Sequence, residues 1–278
     1  NVLLPSIVKN HFPNNVGLLT GLYTTCMNVF AALGTGLSIP LAKQLNLSWE
    51  MSLLFWGIIA LLAIFLWTPQ LKNHSISKKN KSLEKVTGLN IWKSKIAWQV
   101  TLFMGLQSFL FYCTITWLPE LLHDYGISIG IAGLMVSIMQ ICGLPFSFLT
   151  PIIADKLKNQ IIIVLILGSA YFIGLLLLLL TNDFIFLFIG VILIGMAQGA
   201  CISLSLTLLS LRAKNSDQAS QLSGMAQSVG YAVAAIGPTL IGFLFDLTHD
   251  WSLPLITLMV ITILMTLVGI GAGKKRFV

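Results

Sequence analysis

The sequence contains few charged residues. Only 9% of the 278 residues are Asp, Glu, Lys or Arg, whereas 56% are hydrophobic; a soluble domain carries about 25% charged residues. So few charges cannot cover the surface of a soluble protein of 30.4 kDa. The composition therefore excludes an ordinary soluble enzyme, a disordered chain and a disulfide-stapled secreted domain, and it predicts an integral membrane protein.

The patterns of catalytic and metal-binding sites are missing as well. The four cysteines lie in hydrophobic stretches without a CxxC pair, and the four histidines fall in or near polar stretches. No cluster has the spacing of metal ligands, and no Walker, dinucleotide or G-x-S-x-G motif occurs. We predict no enzymatic activity, no metal and no cofactor. The net charge of +7 arises largely from a Lys-rich polar linker, so we predict no nucleic-acid partner.

The sequence contains long stretches without any charged residue. Each exceeds the roughly 20 residues that cross a bilayer as a helix, and a spanning segment must satisfy its own backbone hydrogen bonds. We therefore predict an all-α protein with eight transmembrane helices, preceded by a short apolar stub at residues 1–8. The charge-free stretches are 10–42, 51–71, 96–119, 125–154, 159–182, 184–211, 218–245 and 251–273.

The connections between these stretches alternate in charge. One side holds 15 of the 16 basic residues, and the other holds six of the nine acids. An excess of Lys and Arg marks the cytoplasmic side of a membrane protein. We therefore predict a multi-pass protein of the plasma membrane, with the linker 69–95 and the C-terminus in the cytoplasm and the lipid bilayer as its surroundings.

An internal repeat at an offset of 203 residues indicates two related halves. Leu19-Thr20-Gly21 aligns with Leu222-Ser223-Gly224, and Lys9 aligns with Arg212. Six predicted helices separate the copies, so the repeat is parallel. We predict a remnant of an N-terminal half at 1–68, the Lys-rich linker at 69–95 and a complete six-helix half at 96–278. The chain would then be an N-terminally truncated fragment of a twelve-helix protein. A first residue other than Met agrees with such a truncation.

Polar residues at the centres of the spans are the candidates for a solute site. A polar side chain in a membrane is costly and usually faces the interior of the bundle or a cavity. Amides offer both donors and acceptors, which suits a small polar solute; the alternative is interhelical packing, at roughly 0.6 kcal/mol per contact. The candidates are Asn28, Gln107, Ser108, Tyr112, Gln140, Gln198, Gln227 and Tyr231, followed by Tyr23 and Tyr171.

The absence of charge from the predicted spans and two pairs of glycines carry two further predictions. No Asp, Glu, Lys or Arg lies deep in a span. A coupling carboxylate or an anion-neutralising Arg would therefore lie in the missing helices; otherwise the solute is neutral or its transport uncoupled. The small-xxx-small pairs Gly17/Gly21 and Gly195/Gly199 predict close helix packing.

Several blocks of sequence, spread over essentially the whole chain, form a recognisable set. The blocks are Asn1-Val-Leu-Leu-Pro5 with Lys9 and Phe12-Pro13, Gly17-Leu-Leu-Thr-Gly-Leu-Tyr23, Ala97-Trp-Gln-Val-Thr-Leu-Phe-Met-Gly-Leu-Gln-Ser108, Trp117-Leu-Pro119, Gly195-Met-Ala-Gln-Gly199, Leu211-Arg-Ala213, Leu222-Ser-Gly-Met-Ala-Gln-Ser-Val-Gly-Tyr231 and Gly237-Pro238. Together these blocks are more specific than any one of them alone. They resemble the cyanate and 2-nitroimidazole transporter family of the major facilitator superfamily.

The resemblance implies a secondary transporter that moves a small polar or weakly anionic solute by rocking two halves against each other. Of the superfamily's cytoplasmic loop motif, only the acidic–basic pair Asp155-Lys156 is present, with Pro151 and Lys158 in place of the two glycines. We expect a monomer. The alternatives are a non-transporting polytopic membrane protein and a membrane enzyme or assembly factor.

Overall fold

A computed structural model of the chain describes residues 2–43, 49–73 and 91–278. Most of the predicted linker, at 74–90, lies outside the described residues. The described residues are almost entirely helical. The helices are α1 (Leu4–His11), α2 (Val16–Lys43), α3 (Trp49–Asn73), α4 (Lys95–Asp124), α5 (Ile129–Lys156), α6 (Ile161–Leu180), α7 (Phe184–Leu211), α8 (Ser216–Thr248) and α9 (Ser252–Gly273), with a short 3₁₀ turn at Ile91–Lys93.

Six of these helices, α4 to α9, are long and apolar enough to cross a membrane. Shorter apolar stretches, Val16–Ala31 and Leu54–Pro69, occur within α2 and α3. The prediction of an all-helical protein is therefore confirmed. The count of eight spanning helices stays a prediction.

The described chain divides into two compact units. The first comprises residues 1–26 and 90–278, and it contains α1, the beginning of α2 and the six helices α4 to α9. The second comprises residues 27–89, and it contains the rest of α2 together with α3.

Glycines allow the helices of the first unit to pack at backbone distance. A Cβ atom added at Gly143 would lie 2.8 Å from the Gly195 carbonyl oxygen, and one at Gly105 would lie 3.0 Å from the Gly230 Cα atom. In lipid, helices associate through such close packing because lipid tails are as apolar as leucine. The predicted close packing at Gly195/Gly199 is confirmed, and so is that at Gly17/Gly21, where the partners are Pro151 and Phe148.

The outer surfaces of these helices are apolar and exposed. On α6, which has no charged residue, Ile162 and Ile166 are each more than 60% exposed. Such surfaces are normal where lipid tails take the place of water.

The two ends of the first unit differ in charge. At one end, which we call the basic face, Lys156, Lys158, Arg212 and Lys275 line a common cleft with Lys9. At the opposite end, the Trp251 indole N–H donates to the Asp124 carboxylate at 2.7 Å. Five of the 15 basic residues that the sequence assigned to one side therefore lie together.

Candidate functional site

Three predicted amides lie buried at a common depth. Gln107 follows the start of α4 by twelve residues, Gln198 precedes the end of α7 by thirteen, and Gln227 follows the start of α8 by eleven. At about 1.5 Å per residue, all three lie roughly 16–20 Å from the basic-face ends of their helices. That is close to the middle of a hydrocarbon core of about 30 Å. Their side chains are only 3–6% exposed.

Each of these amides donates a hydrogen bond to a hydroxyl group. The Gln107 Nε2 group donates to Ser108 Oγ at 2.8 Å, and that of Gln227 donates to Ser223 Oγ at 2.9 Å. An amide has two N–H donors and an accepting oxygen, so each keeps further capacity for a polar ligand. Both of these bonds stay within one helix, so they orient the Gln107 and Gln227 amides without linking them to another helix.

Gln198 belongs to a network that joins three helices. Its Nε2 group donates to the Tyr171 hydroxyl at 2.8 Å, and this hydroxyl shares a hydrogen bond of 3.0 Å with the Thr114 hydroxyl. Thr114 also donates to the Leu110 carbonyl oxygen of its own helix. α4, α6 and α7 thus meet at Tyr171, which is fully buried. Interhelical packing, the alternative to solute binding, therefore explains at least part of the role of the Gln198 amide.

The remaining candidates are less buried. Gln140 on α5 and Asn28 on α2 are half-buried, and Asn28 belongs to the second compact unit. Tyr112 is 44% exposed and Tyr231 is 37% exposed, so neither belongs to the buried layer. Among the described candidates, the hydrogen bonds join Gln107 to its sequence neighbour Ser108 and Gln198 to Tyr171, and the predicted site stays a prediction.

Four buried hydroxyl oxygens make no hydrogen bond of accepted geometry within the described residues. Thr20 and Tyr23 lie three residues apart on α2, with their hydroxyl groups near each other. An unsatisfied polar group in an apolar interior is costly, so each such group calls for an explanation. Sequence reasoning ranked Tyr23 low and missed the threonines, because threonine is common in membrane helices. The four oxygens belong to Thr20, Tyr23, Thr25 and Thr101.

The loop-motif pair Asp155-Lys156 lies at the end of α5, on the basic face. The Asp155 carboxylate accepts a hydrogen bond of 2.9 Å from the backbone N–H of Gly17, in the first turn of α2. The first N–H groups of a helix have no partner within it, and the helix dipole favours a negative charge there. Asp155 therefore stabilises the start of α2, whereas Lys156 is exposed.

Arg212 is the charged residue at the centre of the basic face. Its side chain is only 3% exposed. The guanidinium Nε group donates to the Ala272 carbonyl oxygen at 2.7 Å, and Nη2 donates to the Gly273 carbonyl oxygen at 3.0 Å and to Gln160 Oε1. Gln160 in turn donates to the Ala154 carbonyl oxygen at 2.8 Å. The ends of α5, α7 and α9 are thereby joined.

Burial lowers the pKa of Arg212 to about 10. The guanidinium therefore stays protonated at neutral pH, where the carbonyl groups at the C-terminal end of α9 stabilise its charge. The sequence showed Arg212 only as a loop cation and as the repeat partner of Lys9. Its burial depends on the convergence of three helix ends, which no local pattern reveals.

Comparison with known proteins identifies the family of this helical membrane protein. Residues 1–238 match the family described as the Major Facilitator Superfamily. The chain belongs to the major facilitator superfamily. It is therefore a multi-pass membrane protein of a transporter family and not an enzyme.

Relatives of this superfamily chain cover nearly all of it. It is 49% identical, over its full length and 68% of the relative, to the uncharacterized transporter YycB of Bacillus subtilis. It is 37% identical to the 2-nitroimidazole transporter of Escherichia coli, over 99% of this chain and 69% of that protein. It is 23% identical to the cyanate transport protein CynX of Escherichia coli, over 94% and 68%. The resemblance seen in the sequence is confirmed.

Proposed function

We propose that the protein is a secondary transporter of a small polar or weakly anionic solute. The observation that carries this proposal is the layer of buried amides, Gln107, Gln198 and Gln227, at one depth in the apolar helices of a major facilitator chain. Secondary transporters of this architecture bind their solute near the midplane. Neutral amides can hydrogen-bond such a solute without the cost of burying a charge.

The binding site would comprise Gln107, Ser108 and Gln227, with Gln198 held beside them by Tyr171. Tyr112, Gln140 and Tyr231 would contribute in other conformations or at the margins of the site, and a role of Asn28 stays a prediction from the sequence. The names of two relatives suggest cyanate and 2-nitroimidazole as the first solutes to test. Both are small polar compounds, and one is an anion.

Transport would proceed by alternating access. The first part of α2 packs on α5. At the basic face the Gly17 N–H donates to Asp155, and about 12 Å deeper along the helix the Thr24 hydroxyl contacts the Ser147 carbonyl oxygen at 3.4 Å. In the proposed cycle these contacts separate when a path opens to that face. The glycine-lined crossings within the six helices α4 to α9 would stay packed.

The proposed organisation is that of a twelve-helix transporter whose C-terminal half is residues 96–278 and whose N-terminal half ends with residues 1–68. The basic face would be cytoplasmic, since Lys and Arg collect there. The reading frame upstream of the Asn1 codon tests this proposal, because it should encode further spanning helices. A stop codon directly upstream would instead show a truncated gene. Cysteines in the basic-face loops that react only with reagents outside the cell would contradict the proposed orientation.

Uptake into vesicles tests the solute site. The variants are Gln107→Leu, Gln198→Leu and Gln227→Leu in the product of the complete reading frame, with radiolabelled cyanate and 2-nitroimidazole as solutes. We expect Gln107→Leu and Gln227→Leu to reduce uptake about tenfold or more, since a lost hydrogen bond to a ligand costs about 0.5–1.5 kcal/mol and leaves its partner unpaired. The matched control is Gln221→Leu, an exposed glutamine on α8. Unchanged uptake in all three variants would disprove the site.

A further inference from the structure

A cleft on the basic face has the properties of an anion-binding site. Its volume is about 360 Å³, within the range of about 300–1,000 Å³ typical of small-ligand sites. Five cationic residues line it, together with a single carboxylate among the described lining residues. These six are Lys9, Lys156, Lys158, Arg212, Lys275 and Asp155.

The single carboxylate does not neutralise the cleft. Asp155 accepts the Gly17 N–H and lies near Lys9, so its charge already stabilises the start of α2 and one lysine. Four cations remain around the same space, and like charges gathered at a partly desolvated site repel one another. A bound anion would relieve this repulsion.

Arg212 gives the cleft a fixed donor at its base. The bonds to Ala272, Gly273 and Gln160 use Nε and Nη2 and hold the guanidinium in place. Nη1 takes part in none of these three bonds. A planar, immobilised guanidinium surrounded by flexible lysines is a common arrangement for recognising phosphate.

The rest of the wall is formed by the Gln160 amide and three apolar side chains, Leu157, Leu211 and Phe277. Leu157 is 41% exposed and Phe277 is 50% exposed. They leave room for an apolar or glycerol-like group next to the charged one. The cleft also lies where α6 begins and α9 ends, at the level where lipid headgroups meet a spanning protein.

We propose that this cleft binds a phosphate-bearing anion, either the headgroup of an anionic phospholipid or free phosphate. Basic pockets between helices on the positively charged side of membrane proteins bind such headgroups. Lys9 precedes α2, whereas the other four cations belong to the segment from α5 to the C-terminus. A bound phosphate therefore contacts both and joins them at the basic face. This binding is separate from the midplane solute site and is measured without transport.

The test measures ligand-dependent thermal unfolding of the chain in a neutral detergent, followed by tryptophan fluorescence. Short-chain phosphatidylglycerol is titrated against phosphatidylcholine in one arm, and inorganic phosphate is titrated in the other. The cleft variant is Lys158→Gln with Lys275→Gln. The matched control is Lys93→Gln with Lys214→Gln, which removes two exposed basic-face cations that do not line the cleft.

We expect phosphatidylglycerol to raise the unfolding midpoint of the wild-type and control proteins. The cleft variant should need about 25-fold more ligand, because each lysine near an anionic lipid contributes about fivefold in affinity. Lys158→Arg with Lys275→Arg should retain binding, which separates loss of charge from loss of folding.

The outcomes separate the two sources of phosphate. Stabilisation of the wild type by inorganic phosphate at concentrations similar to those of the lipid identifies the free ion as the ligand, and stabilisation by phosphatidylglycerol alone identifies the headgroup. Equal responses of the cleft and control variants would overturn the site. So would a wild type whose midpoint neither compound changes.

Discussion

At the scale of single residues, the Tyr171 hydroxyl connects Gln198 with Thr114 inside the bundle. We expect Tyr171→Phe to lower the free energy of unfolding by about 1 kcal/mol, because it leaves the buried amide of Gln198 without its acceptor. Unfolding in a mixed-micelle titration with dodecyl sulfate measures this change. Tyr112→Phe is the control, since Tyr112 is 44% exposed. Equal losses in the two variants would show that the network contributes nothing.

Arg212 stabilises three helix ends at once. We expect Arg212→Gln to lower the free energy of unfolding by about 3 kcal/mol, because charge-assisted hydrogen bonds to Ala272 and Gly273 are lost and their carbonyl groups are left unpaired. Thermal unfolding in detergent measures the effect. Lys214→Gln removes an exposed charge from the neighbouring loop and should change the midpoint little. A midpoint for Arg212→Gln as high as that of the control would contradict this role.

The depth of the site residues could be predicted from the sequence, but their partners could not. Gln107, Gln198 and Gln227 stand at the centres of apolar runs, and the position along a helix fixes the depth directly. The bond from Gln198 to Tyr171 depends on how α6 and α7 are rotated against each other, which no single-helix pattern contains. Of the four unsatisfied hydroxyl groups, only that of Tyr23 was a candidate from the sequence, because threonine is too common in membrane helices to stand out.

At the scale of the helices, the charge-free runs of the sequence predict the central part of each helix better than its ends. The run 184–211 coincides with α7, whereas 96–119 is only part of Lys95–Asp124 and 218–245 is only part of Ser216–Thr248. A charge ends the apolar segment but not the helix, because backbone hydrogen bonding continues into the headgroup region, where charges are solvated. α4 and α8 therefore extend beyond the predicted spans.

α5 and α7 cross at glycines, whose lack of a side chain lets the two backbones approach closely. A Cβ atom added at Gly199 would lie 2.7 Å from the Gly143 Cα atom, closer than such atoms approach. We expect Gly199→Ala to lower the free energy of unfolding by about 1–3 kcal/mol, as overpacking does in other tightly packed interiors. Gly133→Ala, where nothing lies within 4 Å, is the control. Dodecyl sulfate titration compares the two, and similar midpoints would argue against a tight crossing.

At the scale of the whole molecule, the segment before and within the start of α2 is bound to α5 and α7, from the basic face to about 12 Å inside the helices. The Ser210 hydroxyl donates to the Pro5 carbonyl oxygen at 3.1 Å, the Gly17 N–H donates to Asp155, and Thr24 reaches Ser147. These contacts join parts that the repeat assigns to different halves. If transport is by alternating access, they must break once in every cycle.

A cross-link across this contact tests the proposed cycle. The variant carries Thr24→Cys and Ser147→Cys in a background whose four native cysteines are replaced by serine. We expect oxidation or a short bis-maleimide to abolish uptake of a transported solute into vesicles, because the linked residues can no longer separate. Reduction of the disulfide should restore uptake, which shows that the substitutions themselves are tolerated.

The control cross-link lies within one predicted half. A Cβ atom at Gly237 would lie 2.6 Å from the Cys113 sulfur atom, so Gly237→Cys can be joined to Cys113 between α4 and α8. This control therefore keeps Cys113, and only the other three native cysteines are replaced by serine. Both helices belong to 96–278 and should move together when the halves rock, so this link should leave uptake close to its reduced level. Loss of uptake only in the Thr24/Ser147 pair supports a moving boundary between the halves at the basic face. Undiminished uptake in that fully cross-linked pair would contradict rocking about this boundary, whatever the solute.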